Sequence, residues 1–128
     1  MIHIEAYCDK YDDEIIDLIL SIQNGENHIG LTLDEQPDLK AIKASYSGKG
    51  GEFWTALDDD KLIGTIGLMM QPDGYAVLKK FFVHKDYRSQ KIGLKLYMTL
   101  LDFAKSHGVK HIFLDTPAAA KQSHTNNQ

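Results

Sequence analysis

The chain has 128 residues, 43% of them hydrophobic and 25% charged, which fits a single domain over residues 1–128 with room for a core and no need of a staple. Fourteen Lys and Arg against eighteen Asp and Glu leave a net charge of −4, which argues against a nucleic-acid coat or a binder of anionic membranes. A lone cysteine, Cys8, excludes an internal disulfide. With neither a charged-then-apolar leader nor an 18-residue apolar run, the expectation is a soluble cytoplasmic protein.

In chain order, Ile2, Ile4 and Ala6 alternate with polar residues, the period of a half-buried strand. Asp12 is placed to cap a helix, Asp13 and Glu14 suit its positive end, and Ile15, Leu18, Ile19 and Ile22 fall on one face. Asn24-Gly25 is expected to end it. A second helix is expected from about Gln36 to Tyr46, with Pro37 in its first turn and Leu39, Ile42 and Tyr46 inward. The Gly-rich stretch Ser47–Gly51 then leads to three strands, Glu52–Leu57, Leu62–Gln71 and Tyr75–Val83. Their short connections imply an antiparallel meander with the apolar middle strand central. From about Gln90 to His107 runs a long amphipathic helix. Lys91, Lys95, Thr99, Asp102 and Ser106 form its polar stripe, and Gly93, Leu96, Tyr97, Leu100, Leu101 and Ala104 its core face. Gly108 closes it, and His111–Asp115 reads as a strand that a helical crossover makes parallel to its predecessor. The fold class is therefore α/β, with a mixed, mainly antiparallel sheet flanked by helices.

The chemistry concentrates in Phe81-Phe82-Val83-His84-Lys85-Asp86-Tyr87-Arg88-Ser89-Gln90-Lys91-Ile92-Gly93-Leu94, where a strand passes through a polar turn into a helix. The first amides of a helix lack intrahelical acceptors and carry positive potential, so a phosphate is a natural ligand there. Arg88, Lys91 and Lys95 add charge, and Gly93 permits close approach. The competing reading is a helix that begins with merely solvated basic residues.

This segment resembles the acyl-CoA-binding motif of the GNAT family of N-acetyltransferases, which reads Arg or Gln, two residues, Gly, one residue, then Gly or Ala. Arg88, Ser89, Gln90, Lys91, Ile92 and Gly93 occupy those places, and the order of elements from Ile2 to about Asp115 agrees. The resemblance implies a GNAT-like fold and acetyl-CoA as acyl donor. Phe81, Phe82 and Val83 would offer strand backbone to the pantetheine arm, next to a splay between the fourth and fifth strands. Arg88, Ser89, Gln90, Lys91, Ile92, Gly93 and Leu94 would cradle the pyrophosphate. Lys91 departs from the pattern, standing where the family has its first Gly. A right-handed helical backbone there would not demand Gly, and the Lys91 ammonium is expected to tolerate or aid the phosphates.

The reaction so implied is attack of a neutral amine, from a small molecule or a peptide, on the thioester, with a backbone amide of the distorted fourth strand stabilising the oxyanion. An alkylamine of pKa ~10.4 is on the order of one part in a thousand neutral at pH 7, so a base is valuable. Alignment puts Val77 where many relatives carry a Glu, and Glu26 and Glu52 are the substitutes, each more simply read as a solvated carboxylate. The catalytic residues stay unassigned. The alternative is a non-catalytic acyl-CoA-binding or interaction module. Thr116, Pro117 and Ala118–Ala120 suggest a short helix, and the residues to Gln128 are too polar for the family's terminal hairpin. A C-terminally shortened domain is expected, its sheet edge covered by a second copy in a homodimer, unless the sequence is part of a longer enzyme.

Three other features carry less. Cys8 has no evident partner for nucleophilic chemistry, and Gly108 breaks the helical spacing of His107 and His111, so no metal site is expected. Ser47–Gly51 lacks the nucleotide-loop pattern and reads as a connector. Phe53 and Trp54 are expected in the core, Met69 and Met70 as its filling, and His84 and Tyr87 as residues that shape the loop.

Overall fold

A computed structural model describes residues 1–115. The expected helix at Thr116–Ala120 and the polar tail lie outside the described residues. Strand β1 (Ile2–Ala6) leads through a turn into α1 (Asp12–Leu20), followed by the short helices α2 (Pro37–Lys40) and α3 (Ile42–Ser45). Strands β2 (Glu52–Asp58), β3 (Lys61–Met70) and β4 (Tyr75–Val83), helix α4 (Ile92–Ser106) and β5 (His111–Leu114) complete it. The sheet order is β1-β2-β3-β4-β5. All neighbours pair antiparallel except β4 and β5, which run parallel across the α4 crossover. This is the mixed, mainly antiparallel sheet that the sequence implies, with β3 at its centre.

Alternation along the central strands divides the core between the two sheet faces. Phe53, Leu57 and Leu62 pack with Ile15, Ile19, Leu39, Ile42 and Tyr46 on the α1 side. Trp54, Ala56, Ile63, Ile66 and Leu68 pack with Ile92, Leu96, Leu100 and Ala104 of α4 on the other. Each of the Leu, Ile and Phe side chains among them contributes roughly 1.5–3 kcal/mol by leaving water.

Four local expectations are corrected. Asp12 does not cap α1: it lies inside the first turn and accepts the Tyr7 hydroxyl. Asn24-Gly25 does not end the helix, because Ser21–Glu26 continue it as a π-helix, Asn27 N donating to Ile22 O at 2.9 Å. Buried Ile22 and Gln23 anchor that turn, while the Asn24 amide pairs with both main-chain groups of Leu31 at 2.7 Å. The second helix breaks at Ala41, whose φ of −150° and ψ of 63° separate α2 from α3, and the 2.6 Å bond from the Tyr46 hydroxyl to Asp38 spans the break. A helix this short rests on packing rather than propensity, and Leu39, Ile42 and Tyr46 are buried as expected. Finally, α4 sets its buried face by Ile92, Leu96, Leu100 and Ala104, which rotates Tyr97 off the core to 37% exposure.

Candidate functional site: a donor groove and a cavity on opposite faces of β4

Strand β4 carries both halves of the site. Its pairing with β5 runs from Tyr75 opposite His111 to Leu78 opposite Leu114, and the last link is Asp115 N to Leu78 O at 3.0 Å. Beyond it, among the described residues, Lys79–Val83 have no partner strand on that side. On its other side β4 is bulged. Thr65 pairs with Phe82 but Gly67 with Lys79, so two β4 residues, Lys80 and Phe81, oppose the single Ile66. Lys80 takes a φ of 55°, and the buried Thr65 hydroxyl donates to its carbonyl at 2.7 Å, satisfying a group that the bulge removes from the ladder. Left-handed backbone on a residue with a Cβ costs roughly 1–2 kcal/mol, and such strain collects at working sites.

After the bulge the alternation resumes. His84 N donates to Ile63 O at 2.7 Å and Phe82 pairs with Thr65, so the main chains of Phe81 and Val83 turn to the open side. The Val83 carbonyl accepts from Arg88 Nε at 2.9 Å, and Arg88 Nη2 meets Glu26 Oε1 at 2.7 Å. Arg88 thus ties the end of β4 and the π-helix to the loop. Lys85–Gln90 form a 3-10 turn shaped by His84 and Tyr87: His84 Nδ1 accepts from Asp86 N, and the Tyr87 hydroxyl donates to Asp58 Oδ2 at 2.9 Å.

Lys91 corrects an expectation. Its φ of 60° and ψ of 26° are left-handed, not right-handed, so it stands in a conformation that favours the Gly of the family pattern. The turn lets Lys91 O accept from Lys95 N at 3.1 Å while the amides of Ile92, Gly93 and Leu94 begin the helix without intrahelical acceptors. Ser89, Gln90, Lys91 and Leu94 are exposed, whereas Ile92 is fully buried and offers the groove only its amide. Phe81, Val83, Arg88 and Gly93 line a groove of about 260 Å³ between the open β4 backbone and these amides. A Cβ on Gly93 would sit 3.6 Å from the Phe81 ring and 3.8 Å from Val83 Cγ2, filling the groove rather than clashing with the fold. Strand backbone, free amides and cations side by side fit a pantetheine arm ending in a pyrophosphate. Phe82 is the exception, because its backbone is paired to β3 and its side chain lies on the opposite face.

On that face is a cavity of about 670 Å³, with Ile29, Leu31, Met69 and Phe82 as apolar wall and Asp38, Lys79 and Lys80 among its polar lining. Asp38, only 8% exposed, takes the Tyr46 hydroxyl on Oδ2 at 2.6 Å and Lys80 Nζ on the same oxygen at 3.5 Å. Burial pulls the Lys80 ammonium below the usual lysine range, with Asp38 opposing; burial and then Asp38 push the Tyr46 phenol up. The amides of Gln23 and Gln36 bond reciprocally at 2.8 and 2.9 Å, clasping the π-helix to the start of α2 at the cavity edge. Lys79 meets Asp115 at 3.2 Å.

The two carboxylates considered as bases lie elsewhere. Glu26 is held by Arg88, and Glu52, whose Oε1 accepts from Phe53 N at 3.0 Å, lines a separate cleft with Tyr7 and Asp12. Asp38, Tyr46 and Lys80 went unassigned in the sequence. One signal pointed to them: Lys79-Lys80 interrupts an apolar strand with two consecutive charges, which a regular alternation forbids and a bulge explains. Cys8 is exposed, and the described residues hold no metal-ligand cluster and no helix long and apolar enough to cross a membrane.

Comparison with known proteins agrees with this geometry. A crystal structure of a GNAT-family acetyltransferase from Staphylococcus aureus Mu50 superposes with a TM-score of 0.89 at 38% identity, covering 99% of this chain and 82% of that one. An acetyltransferase from Streptococcus agalactiae gives 0.87 at 35% identity, over 98% and 79% of the two chains. The probable N-acetyltransferase camello of Xenopus tropicalis is 35% identical over 82 residues, which are 62% of this chain but 37% of that protein. The chain thus matches little more than a third of the curated relative's length. Residues 16–124 match the Acetyltransferase (GNAT) family. Since that match takes in most of the chain and the sheet follows the path of the Staphylococcus structure, the protein belongs to the GNAT acetyltransferase family, which implies acetyl-CoA as acyl donor.

Proposed function

We propose that this chain transfers an acetyl group from acetyl-CoA to an amine of a small molecule or peptide, by direct attack in a ternary complex within one domain. The observation that carries the reading is the groove lined by Phe81, Val83, Arg88 and Gly93, where the edge of β4 meets the free amides of Ile92, Gly93 and Leu94. Acetyl-CoA supplies an activated thioester carbonyl. The chain's own part is to bind the pantetheine by strand-like main-chain bonds and hold the pyrophosphate at the start of α4 with Arg88, Lys91 and Lys95 nearby. An amide of the bulged strand then faces the charge that develops on the carbonyl oxygen. Binding that rests on main chain explains why Lys91 is acceptable in place of Gly.

Incubation with acetyl-CoA and an amine library, followed by thiol release, tests this. Turnover above the hydrolysis background is expected, and acetyl-CoA binding with no turnover on any amine favours the alternative, a non-catalytic acyl-CoA-binding module. One observation favours that alternative: Val77 stands in the place of the family's usual Glu, and Arg88 occupies Glu26.

A further inference from the structure

The cavity on the α1 side of β4 contains a carboxylate only half used. Asp38 is more than nine-tenths buried, and both of its described partners, the Tyr46 hydroxyl and Lys80 Nζ, meet Oδ2. Oδ1 accepts no hydrogen bond from the described residues, and since none of their sealed side-chain oxygens lacks a partner, Oδ1 keeps an opening to the cavity. A buried anion anchored on one oxygen and open on the other, in a cavity of about 670 Å³, is a preformed acceptor for a cation. The wall beside it is apolar, formed by Ile29, Leu31, Met69 and Phe82. A ligand suited to both is a primary ammonium on an aliphatic stem.

Resting on the acetyltransferase reading, we propose that Asp38 Oδ1 is the docking point for the acceptor's ammonium and receives its proton, making primary alkylamines the acceptor class. Phe82 links the two halves of the site: its side chain lines this cavity, while its neighbours Phe81 and Val83 line the donor groove on the other face. An amine held at Asp38 therefore approaches β4 at the bulge, from the face opposite α4. Lys80 on the second oxygen acts against the docked charge, since like charges at one carboxylate favour loss of a proton. The other charged groups facing the cavity are Glu35, Lys49, Lys79 and Asp115, and Lys79 and Asp115 pair with each other. The step balances: the ammonium gives one proton to Oδ1 and thence to water, and the freed amine forms the C–N bond as the thioester C–S bond breaks. Its second proton neutralises the departing thiolate. Tyr46 is a positioning residue that aims Asp38.

Asp38→Asn tests this, because the amide keeps an oxygen for Tyr46 but loses the charge. With spermidine, L-lysine and a lysine-bearing pentapeptide as acceptors, it should lower kcat/KM for the amine by at least about 100-fold, as expected where an interaction strengthens along the reaction. Calorimetric affinity for acetyl-CoA should stay within about two-fold, since the donor groove lies on the other face. Tyr46→Phe should raise the amine KM and leave acetyl-CoA binding alone. A wild type that acetylates these amines and an Asp38→Asn that does so equally well overturn the inference while leaving the acetyltransferase reading intact. Failure of the wild type to bind acetyl-CoA or release thiol overturns that reading, and the docking point is then judged on binding alone. Titration with n-butylammonium chloride should move the NMR resonances around Asp38, Tyr46 and Phe82 in wild type and not in Asp38→Asn. Absence of those shifts in wild type overturns the inference, including when Asp38→Asn fails to fold.

Discussion

The two faces of β4 are built by opposite means. On the α4 side, the groove is made largely of backbone: the main chains of Phe81 and Val83 at the edge of β4, the amides of Ile92, Gly93 and Leu94, and exposed side chains around them. On the α1 side, the cavity is made of buried polar side chains, in which Asp38, Tyr46 and Lys80 share one oxygen and Gln23 and Gln36 close an amide pair. Backbone groups are present whatever the side chain, so the first surface tolerates substitution. Buried polar groups must match one another or lose about 1–3 kcal/mol each, so the second surface depends on the identity of its side chains.

The sharpest break in the contrast lies inside the motif itself. Ile92 is its one fully buried side chain, so Ile92→Ala should cost about 2–4 kcal/mol in urea unfolding, whereas the exposed Ser89→Ala should stay within about 0.5 kcal/mol. Equal effects of the two would mean that the groove depends on its side chains after all.

Gly67 probes the cavity face. A Cβ there would lie 2.7 Å from Tyr46 Cε1 and 2.9 Å from Phe53 Cδ2. Gly67→Ala should destabilise by about 1–3 kcal/mol through overpacking, and because it pushes on Tyr46 it should also weaken amine use more than acetyl-CoA binding. Denaturant melts and the ratio of the two affinities check it.

Lys91→Gly returns to the groove. Relief of the left-handed backbone should raise stability by about 0.5–1 kcal/mol, less than the full strain because Gly gains freedom in the unfolded chain. Acetyl-CoA should bind no more tightly; a clear gain in calorimetry would show that the lysine crowds the phosphates.

The smallest effect concerns the loop. The Tyr87 hydroxyl first, and the N-terminal ammonium next, hold the Asp58 carboxyl below its ordinary value of 3.8. The unfolded chain therefore takes up this proton at higher pH than the folded one. Its stabilisation is present above about pH 4 and lost as the pH falls further. The stability lost between pH 7 and pH 3 should be smaller in Asp58→Asn than in wild type, and a groove unaffected by that change would show that the Tyr87 contact does not set the loop.

By itself the sequence determined the strands, the order of the meander and the parallel return through α4, and it singled out the strand-loop-helix segment that borders the groove. Those follow from local rules: the nearly continuous apolar run of Leu62–Met70, the four-residue spacing from Ile92 to Ala104, and a motif of consecutive residues. Even so, the motif's detail needed the folded chain, since nothing local announces that Lys91 is left-handed or that Arg88 is tied to Glu26. The cavity was decided by tertiary structure alone. Asp38, Tyr46 and Lys80 are brought together by the break at Ala41 and the bulge opposite Ile66, two irregularities that hydropathy patterns average away. A charge reads as exposed in a sequence because water is its usual partner, and only the fold reveals which carboxylate has exchanged water for a tyrosine and a lysine.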